Sequence, residues 1–441
     1  MAQRRAYAAA VLASLLAAGT ASAQTSIPCP NEQNRMSVSP VLTVRPIGLD
    51  NAGADCAMWR TFFYLNWPAL PNQRGKPDNN ARFGVARPTV WETYRTEDEV
   101  FLPNGQKPPP WNDRLAPPEL LAHPELPPDV AAEVQAGQAR LLVNKTKISR
   151  TVIDVIGRAF ADDPLFLRYI QQADGNILYD QQSQPAYYEI SMNEMQFDYI
   201  VNNGLYNAAN QVTYTRNNNI ALPVGAIELK AAWKILTPAQ AASGRFHTAK
   251  AYLLGPPLRQ VTVGLVALHV FTGGGPTNIG MWGTFAQIDN VPLQGNIGPV
   301  PVPYSFNNPQ CGAACKVNDP TTNPTQAAQV FPDDPLAARL TMQVQNMIKS
   351  YDLRNRVKSP WPYYKLINVQ WSAHPIVLGN PPVKLPLPEG MPTTTRLTNP
   401  VEETFQQAPD VSCMTCHRAF ASIAKNPDIA SGFSFMFSHA R

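Results

Sequence analysis

The residues of this sequence best suited to chemistry are Cys413, Cys416 and His417, which form the pattern Cys-x-x-Cys-His. Two thiols three positions apart can each form a thioether bond to a vinyl group of haem. The histidine beside the second thiol can then bind the haem iron on its proximal side. The spacing therefore predicts one covalently attached haem c, with His417 as the proximal ligand.

The same two cysteines have two other possible roles, as half of a zinc site or as a redox-active dithiol. A structural zinc site needs further ligands, and the sequence has no second Cys-x-x-Cys pair to supply them. A thioredoxin-like dithiol lies in a βαβ pattern, which the sequence around Cys413 lacks. Haem attachment is therefore the favoured interpretation.

The amino terminus has the pattern of an export signal. Arg4 and Arg5 form a short basic region, residues 8–18 are apolar, and the small residues at 21–23 resemble a cleavage site. The apolar stretch is shorter than the roughly 18 residues of a membrane helix, and no later stretch approaches that length. We therefore expect a signal peptide at residues 1–23, no transmembrane segment, and a mature protein in the periplasm, since bacteria attach haem c outside the cytoplasm.

Composition narrows the fold and the partners. The chain has 36 Lys+Arg against 32 Asp+Glu and no long basic run, so nucleic acid is not an expected partner. Its 44 prolines are about twice the usual share and are spread among aromatic and β-branched residues. Because proline is excluded from helix interiors and central strands, we predict an α+β protein with a loop- and proline-rich, β-containing body and peripheral helices.

Hydrophobic periodicity predicts the elements of this body. Predicted helices are at residues 56–67, 130–142, 192–209 and 336–348, and predicted strands are at 226–233, 247–254, 260–271, 281–288 and 363–371. Ser191 is predicted to cap the third helix, with Glu194 as its capping-box partner.

The position of the haem motif constrains the domain organisation. Only 24 residues follow His417, which are too few to enclose a haem with a core of their own. We therefore predict a large body at residues 24–400, on which a haem c segment at residues 401–441 docks. The body would supply most of the haem pocket. The adjacent carboxylates of Glu402 and Glu403 are expected to form a solvated helix start.

The distal side of the haem has two main candidate ligands. Met436 would raise the reduction potential and suit electron transfer, or it fills an aromatic cluster. His269 lies near the end of the predicted strand 260–271, just before a glycine-rich loop. It is a candidate distal ligand, a candidate acid–base residue over an open iron, or a core histidine bonded to a backbone carbonyl. His439 is a further candidate ligand or part of a solvated tail.

Four cysteines lie outside the haem motif, at positions 29, 56, 311 and 315. An even number in an oxidising compartment favours disulfides, and three pairings are possible. We favour Cys29–Cys56 together with a tight Cys311–Cys315 loop. A structural metal site is the alternative, although no histidine lies near these cysteines in the sequence.

Several stretches of the chain resemble a group of uncharacterised exported bacterial proteins described as cytochrome c family proteins. Among the resembling stretches are residues 65–69 (LNWPA), 90–94 (VWETY), 227–233 (IELKAAW), 366–371 (LINVQW) and 412–417 (SCMTCH). The resemblance runs along nearly the whole mature chain. It implies haem binding and export, and it implies no particular substrate.

These observations together predict a periplasmic monohaem c-type cytochrome that transfers single electrons to or from a periplasmic redox partner. Two alternatives stay open because the chain is far longer than a simple carrier. One is a haem-dependent peroxidase or oxygenase with His269 beside an open iron, and the other is a partner-binding or redox-sensing protein with a structural haem. Whether the protein is an oxidoreductase enzyme depends on the sixth position of the iron: a strong ligand favours electron transfer, and a vacant position favours catalysis.

Overall fold

A computed structural model describes residues 26–27, 36–38, 51–113, 126–142, 176–253, 258–274, 280–293, 303–312, 315–329 and 333–441. These residues form an α+β fold with helices around one large, curled mixed sheet, which confirms the predicted class. The helices are α1 (Asn51–Leu65), α2 (Pro128–Gln135), α3 (Glu194–Asn202), α4 (Ala208–Thr215), α5 (Pro238–Ala242), α6 (Pro335–Asn355) and α7 (Cys413–Phe420). Short 3-10 helices are at Trp91–Thr93, Glu97–Glu99, Pro103–Gly105, Trp361–Tyr363 and Phe435–His439.

The strands are β1 (Ser26–Ile27), β2 (Met36–Ser37), β3 (Arg95–Thr96), β4 (Arg140–Leu142), β5 (Tyr187–Met192), β6 (Ile227–Ile235), β7 (Thr248–Leu253), β8 (Arg259–Thr272), β9 (Met281–Gln287), β10 (Tyr364–Trp371), β11 (Ser422–Ile423) and β12 (Asn426–Ala430). The large sheet has the order β10-β9-β8-β6-β5-β3. Its pairs are antiparallel, except that β4 runs parallel to β7. The first part of β8 pairs with β7 and its last part pairs with β9.

Strand β8 brings a row of polar side chains onto one face of the sheet. His269 on β8 lies directly opposite Lys230 on β6 and opposite Thr284 on β9. Directly paired residues of antiparallel strands project to the same face. Lys230, His269 and Thr284 therefore form what we call the polar row.

The opposite face of the sheet packs against the helices. Phe285, which follows Thr284 on β9, projects to this face and lies 4.5 Å from Phe62 of α1, measured between ring centroids. The Phe62 ring also lies 5.5 Å from Trp361. These aromatic side chains are fully buried, so the helical side of the sheet forms part of the main hydrophobic core.

The prediction of one helix over residues 192–209 from a Ser191 cap is wrong. Ser191 belongs to β5, and the cap is Asn193, whose side-chain oxygen accepts a hydrogen bond from the Gln196 amide at 3.2 Å. The helix that follows ends at Asn202, and the chain turns at Gly204 with φ +65° before α4 begins. A left-handed turn of this kind favours glycine and ends a helix.

The prediction of a helix over residues 130–142 is too long. Helix α2 ends at Gln135, and Gly137 adopts a left-handed φ of +70°. The remaining residues form β4 and pair in parallel with β7. The apolar residues at 141 and 142, which hydrophobic periodicity assigns to the helix, therefore belong to a strand.

The Cys311–Cys315 disulfide is confirmed. Cys56 is also disulfide-bonded, while Cys29 and the predicted signal peptide at residues 1–23 lie outside the described residues. Among the described helices, none has the length and apolar character needed to cross a membrane.

Candidate functional site

Helix α7 presents the three residues of the haem motif together. Ser412 caps the helix, and its side chain accepts a hydrogen bond from the Thr415 amide at 3.4 Å. Cys413, Cys416 and His417 then occupy positions i, i+3 and i+4, which share one face of a helix. Both thiols are free of disulfides and half-buried, and both lie on the helical face that carries His417.

The two thiols are poor nucleophiles in this setting. Burial raises the pKa of Cys413 well above its ordinary value and raises that of Cys416 to about 12, and the nearby Glu403 carboxylate raises both further. Redox-active Cys-x-x-Cys pairs depend on a thiol with a lowered pKa. The environment of α7 therefore argues against a redox dithiol.

The imidazole of His417 is held through a hydrogen bond at one of its two ring nitrogens. Its Nδ1 lies 2.5 Å from the carbonyl oxygen of Phe433, and Nε2 makes no hydrogen bond within the described part of the chain. Burial lowers the pKa of His417 to about 4, and the charge of Lys230 lowers it further. The ring is therefore neutral near pH 7, with Nδ1 as the donor and a lone pair on Nε2, which is the form that binds a metal.

The carbonyl that holds His417 comes from a strained turn. Gly432 and Phe433 are both left-handed, with φ of +63° and +69°. A Cβ on Gly432 would lie 2.3 Å from the carbonyl oxygen of Ile220, so only glycine fits there. A left-handed backbone is unfavourable for phenylalanine, and the buried Phe433 ring holds it by packing 6.0 Å from Trp282.

Two aromatic rings enclose the His417 side chain. The ring centroid of Phe435 lies 4.7 Å from that of His417, and the centroid of Trp282 lies 5.6 Å away. Trp282 stacks in turn on Phe271 of β8 at 4.6 Å. His417 is therefore fixed against the same sheet face that carries the polar row.

The chain preceding α7 is attached to the polar row. Asn399 is fully buried and donates hydrogen bonds to the Thr284 hydroxyl at 2.8 Å and to the Phe285 carbonyl at 3.0 Å. Glu403 contacts His269 at 2.7 Å, and Glu402 pairs with Lys230 at 3.3 Å. Each member of the row thus has a partner in residues 399–403.

The expectation that Glu402 and Glu403 form a solvated helix start is wrong. The Glu402 side chain is 0% exposed, and the Glu403 side chain is 21% exposed. Because burying a carboxylate is costly unless it is paired, these residues are placed to meet Lys230 and His269. The sequence pattern alone missed this role.

The two ring nitrogens of His269 differ in their hydrogen bonding. Its Nε2 is the atom 2.7 Å from a Glu403 oxygen, whereas its Nδ1 is buried and has no hydrogen-bond partner within the described chain. His269 also acts electrostatically on His417. Ligand atoms of His269, Glu402 and Glu403 lie within 4.8 Å of one another, but the fixed charge of Lys230 already neutralises Glu402.

Met436 and His439 are both engaged elsewhere. The sulfur of Met436 is buried and accepts a hydrogen bond from the Gln196 amide nitrogen at 3.6 Å. Nε2 of His439 lies 3.4 Å from a carboxylate oxygen of Glu97.

Comparison with protein-family models, curated proteins and solved structures finds no match to this chain. The resemblance to exported cytochrome c family proteins therefore stays a prediction. The division into a body at 24–400 and a haem segment at 401–441 also stays a prediction. The apolar side chains of the carboxyl-terminal residues, including Phe433 and Met436, belong to the main hydrophobic core.

Proposed function

We propose that this protein is a c-type cytochrome that carries single electrons and holds one haem through Cys413, Cys416 and His417. The observation that carries the proposal is the state of His417, which is neutral, anchored at Nδ1 and open at Nε2. It lies on the same helical face as two free thiols. A Cys-x-x-Cys-His sequence that arose by chance would not be expected to hold its histidine neutral, with one ring nitrogen anchored and the other available to bind a metal.

The donor set fits haem c. Cys413 and Cys416 would hold the macrocycle to α7 by thioether bonds, and Nε2 of His417 would bind the iron. Bound haem supplies an iron that changes its charge by one electron. The Phe433 carbonyl orients the imidazole and raises its basicity, while Trp282 and Phe435 pack against the ring.

The proposed location and partner follow from this attachment. Bacterial haem c is joined to its protein outside the cytoplasm, and the expected signal peptide at residues 1–23 supports a periplasmic location. The proposed partner is another periplasmic redox protein.

Covalent haem is the first test. The protein would be produced with the haem c maturation machinery, and haem would be detected on a denaturing gel and as a pyridine haemochrome. We expect the wild type to carry haem and Cys413→Ser/Cys416→Ser to lose it. Cys311→Ser/Cys315→Ser is the matched control, since it removes the other pair of cysteines and should retain haem. A wild-type protein without covalent haem would contradict the proposal.

Catalysis is the second candidate function, favoured by the His269–Glu403 pair on the sheet face beside His417. A histidine held by a carboxylate can transfer protons to a substrate at an open iron. Carbon monoxide separates the two functions. A spectrum that does not respond to carbon monoxide supports electron transfer, whereas a high-spin spectrum that shifts with carbon monoxide supports a peroxidase or oxygenase.

A further inference from the structure

Resting on the proposed haem site, we propose that His269 is the second axial ligand of the iron through Nδ1, and that Glu403 is the positioning residue that holds it there. The site would then be a bis-histidine site, and the protein an electron carrier with a closed iron.

The first argument is the hydrogen bonding of the His269 ring. A buried polar atom without a partner is unfavourable, yet Nδ1 of His269 is buried without a hydrogen bond from any described residue. Metal-bound histidines typically donate their other ring nitrogen to a carboxylate or a carbonyl. His269 has this arrangement with Glu403, and His417 has it with the Phe433 carbonyl.

The second argument is position. His269 and Phe271 are two residues apart on β8, so they project to the same face. Phe271 stacks on Trp282, and Trp282 packs against His417. The polar row and the proximal histidine therefore face one region of the molecule.

The third argument is the rigidity of Glu403. One of its carboxylate oxygens accepts a hydrogen bond from the Asn399 backbone amide at 2.8 Å, and the other contacts His269. Asn399 is itself attached to β9 through Thr284 and Phe285. Glu403 is thus fixed to the sheet, and it holds the imidazole with Nε2 as the donor and Nδ1 free to bind.

The other candidate ligands are occupied or remote. The Met436 sulfur accepts a hydrogen bond from the Gln196 side chain. His247 lies 3.0 Å from Glu92 and stacks on Trp361 on the helical side of the sheet. His439 pairs with Glu97, and His374 is exposed. Of the described histidines, only His269 combines an anchored nitrogen with a buried free one beside the haem motif.

The test compares ferric and ferrous absorption, electron paramagnetic resonance and carbon monoxide binding in matched variants. We expect a low-spin wild type that does not bind carbon monoxide. His269→Ala should become high-spin and bind carbon monoxide, and added imidazole should restore the low-spin spectrum. His269→Gln keeps a donor for Glu403 without a ligand nitrogen, so it should behave like His269→Ala in a less perturbed fold. Met436→Leu is the control and should retain the wild-type spectrum.

Glu403→Gln tests the positioning role through the reduction potential. Loss of the carboxylate should raise the potential, because a less basic imidazole stabilises ferric iron less, while the haem remains attached. An unchanged potential and spectrum would remove Glu403 from the proposal.

Covalent haem is measured for every variant on a denaturing gel, so that failure of this inference is distinct from failure of the haem site. A low-spin His269→Gln protein with attached haem would overturn the ligand assignment, and so would a high-spin Met436→Leu protein. A high-spin wild type with attached haem would overturn it as well and favour the catalytic alternative. A wild type without attached haem would refute the proposed function itself.

Discussion

Replacement of Asn399 by alanine should weaken the attachment of residues 399–403 to the sheet. The Asn399 side chain donates to the Thr284 hydroxyl at 2.8 Å and to the Phe285 carbonyl at 3.0 Å, and it accepts from the Val401 amide at 3.0 Å. The residue is 0% exposed, so water cannot replace these partners. The variant therefore leaves buried polar groups without a partner.

The magnitude follows from these three hydrogen bonds. Each contributes about 1 kcal/mol net, so Asn399→Ala should lower the free energy of unfolding by about 3 kcal/mol. The loss should also weaken the contact between Glu403 and His269, because Asn399 holds the turn that presents Glu403.

The free energy of unfolding would be measured by urea denaturation, followed by tryptophan fluorescence at pH 7. Asn218→Ala is the matched control, because Asn218 also donates a side-chain hydrogen bond, to the Tyr214 carbonyl at 3.2 Å, but on the exposed surface. The control should change the free energy of unfolding by less than about 0.5 kcal/mol. A loss below about 1 kcal/mol in Asn399→Ala would refute the view that Asn399 anchors the segment.

Two further predictions concern a buried acid and a glycine. Burial, with a contribution from Asp334, raises the pKa of Asp55 from 3.8 to about 8. As the pH rises, Asp55 therefore loses its proton at a lower pH in the unfolded chain than in the folded protein. The free energy of unfolding of the wild type should fall relative to that of Asp55→Asn by about 4 kcal/mol between pH 5 and 8. Urea denaturation of both proteins across this range checks it, and a difference that does not change with pH would contradict the assignment. Gly432→Ala places a Cβ 2.3 Å from the Ile220 carbonyl at φ +63°, so it should destabilise the protein by at least about 1 kcal/mol. It should also disturb the Phe433–His417 contact, and unchanged stability in thermal unfolding would show that the turn relaxes.

The strands were predictable because their signal is local. The alternation at 260–271 and 363–371 corresponds to β8 (Arg259–Thr272) and β10 (Tyr364–Trp371), which differ from the predicted bounds by one residue at most at each end. The start of α3 was not predictable from a capping pattern alone. Ser191 pairs with Leu229 across β5 and β6, and that distant partner decides that residue 191 continues a strand.

Some residues of the candidate site can likewise be predicted from the local sequence, whereas others depend on distant partners. Cys413, Cys416 and His417 are visible in the sequence because their spacing is short. Glu403 was misread because its partner, His269, is brought to it only by the register of the sheet. Phe433 contributes a backbone carbonyl, and a backbone group leaves no signal in the choice of side chain. The turn itself has one signal, the glycine that precedes Phe433.

The polar row has a consequence for the order of assembly. Lys230, His269 and Thr284 can hydrogen-bond to water, so the sheet can form before residues 399–403 cover these three side chains. The proposed haem attachment would require Cys413 and Cys416 to be accessible, and docking half-buries them. We therefore expect residues 399–403 to dock on the polar row late, when bound water is exchanged for the carboxylates of Glu402 and Glu403.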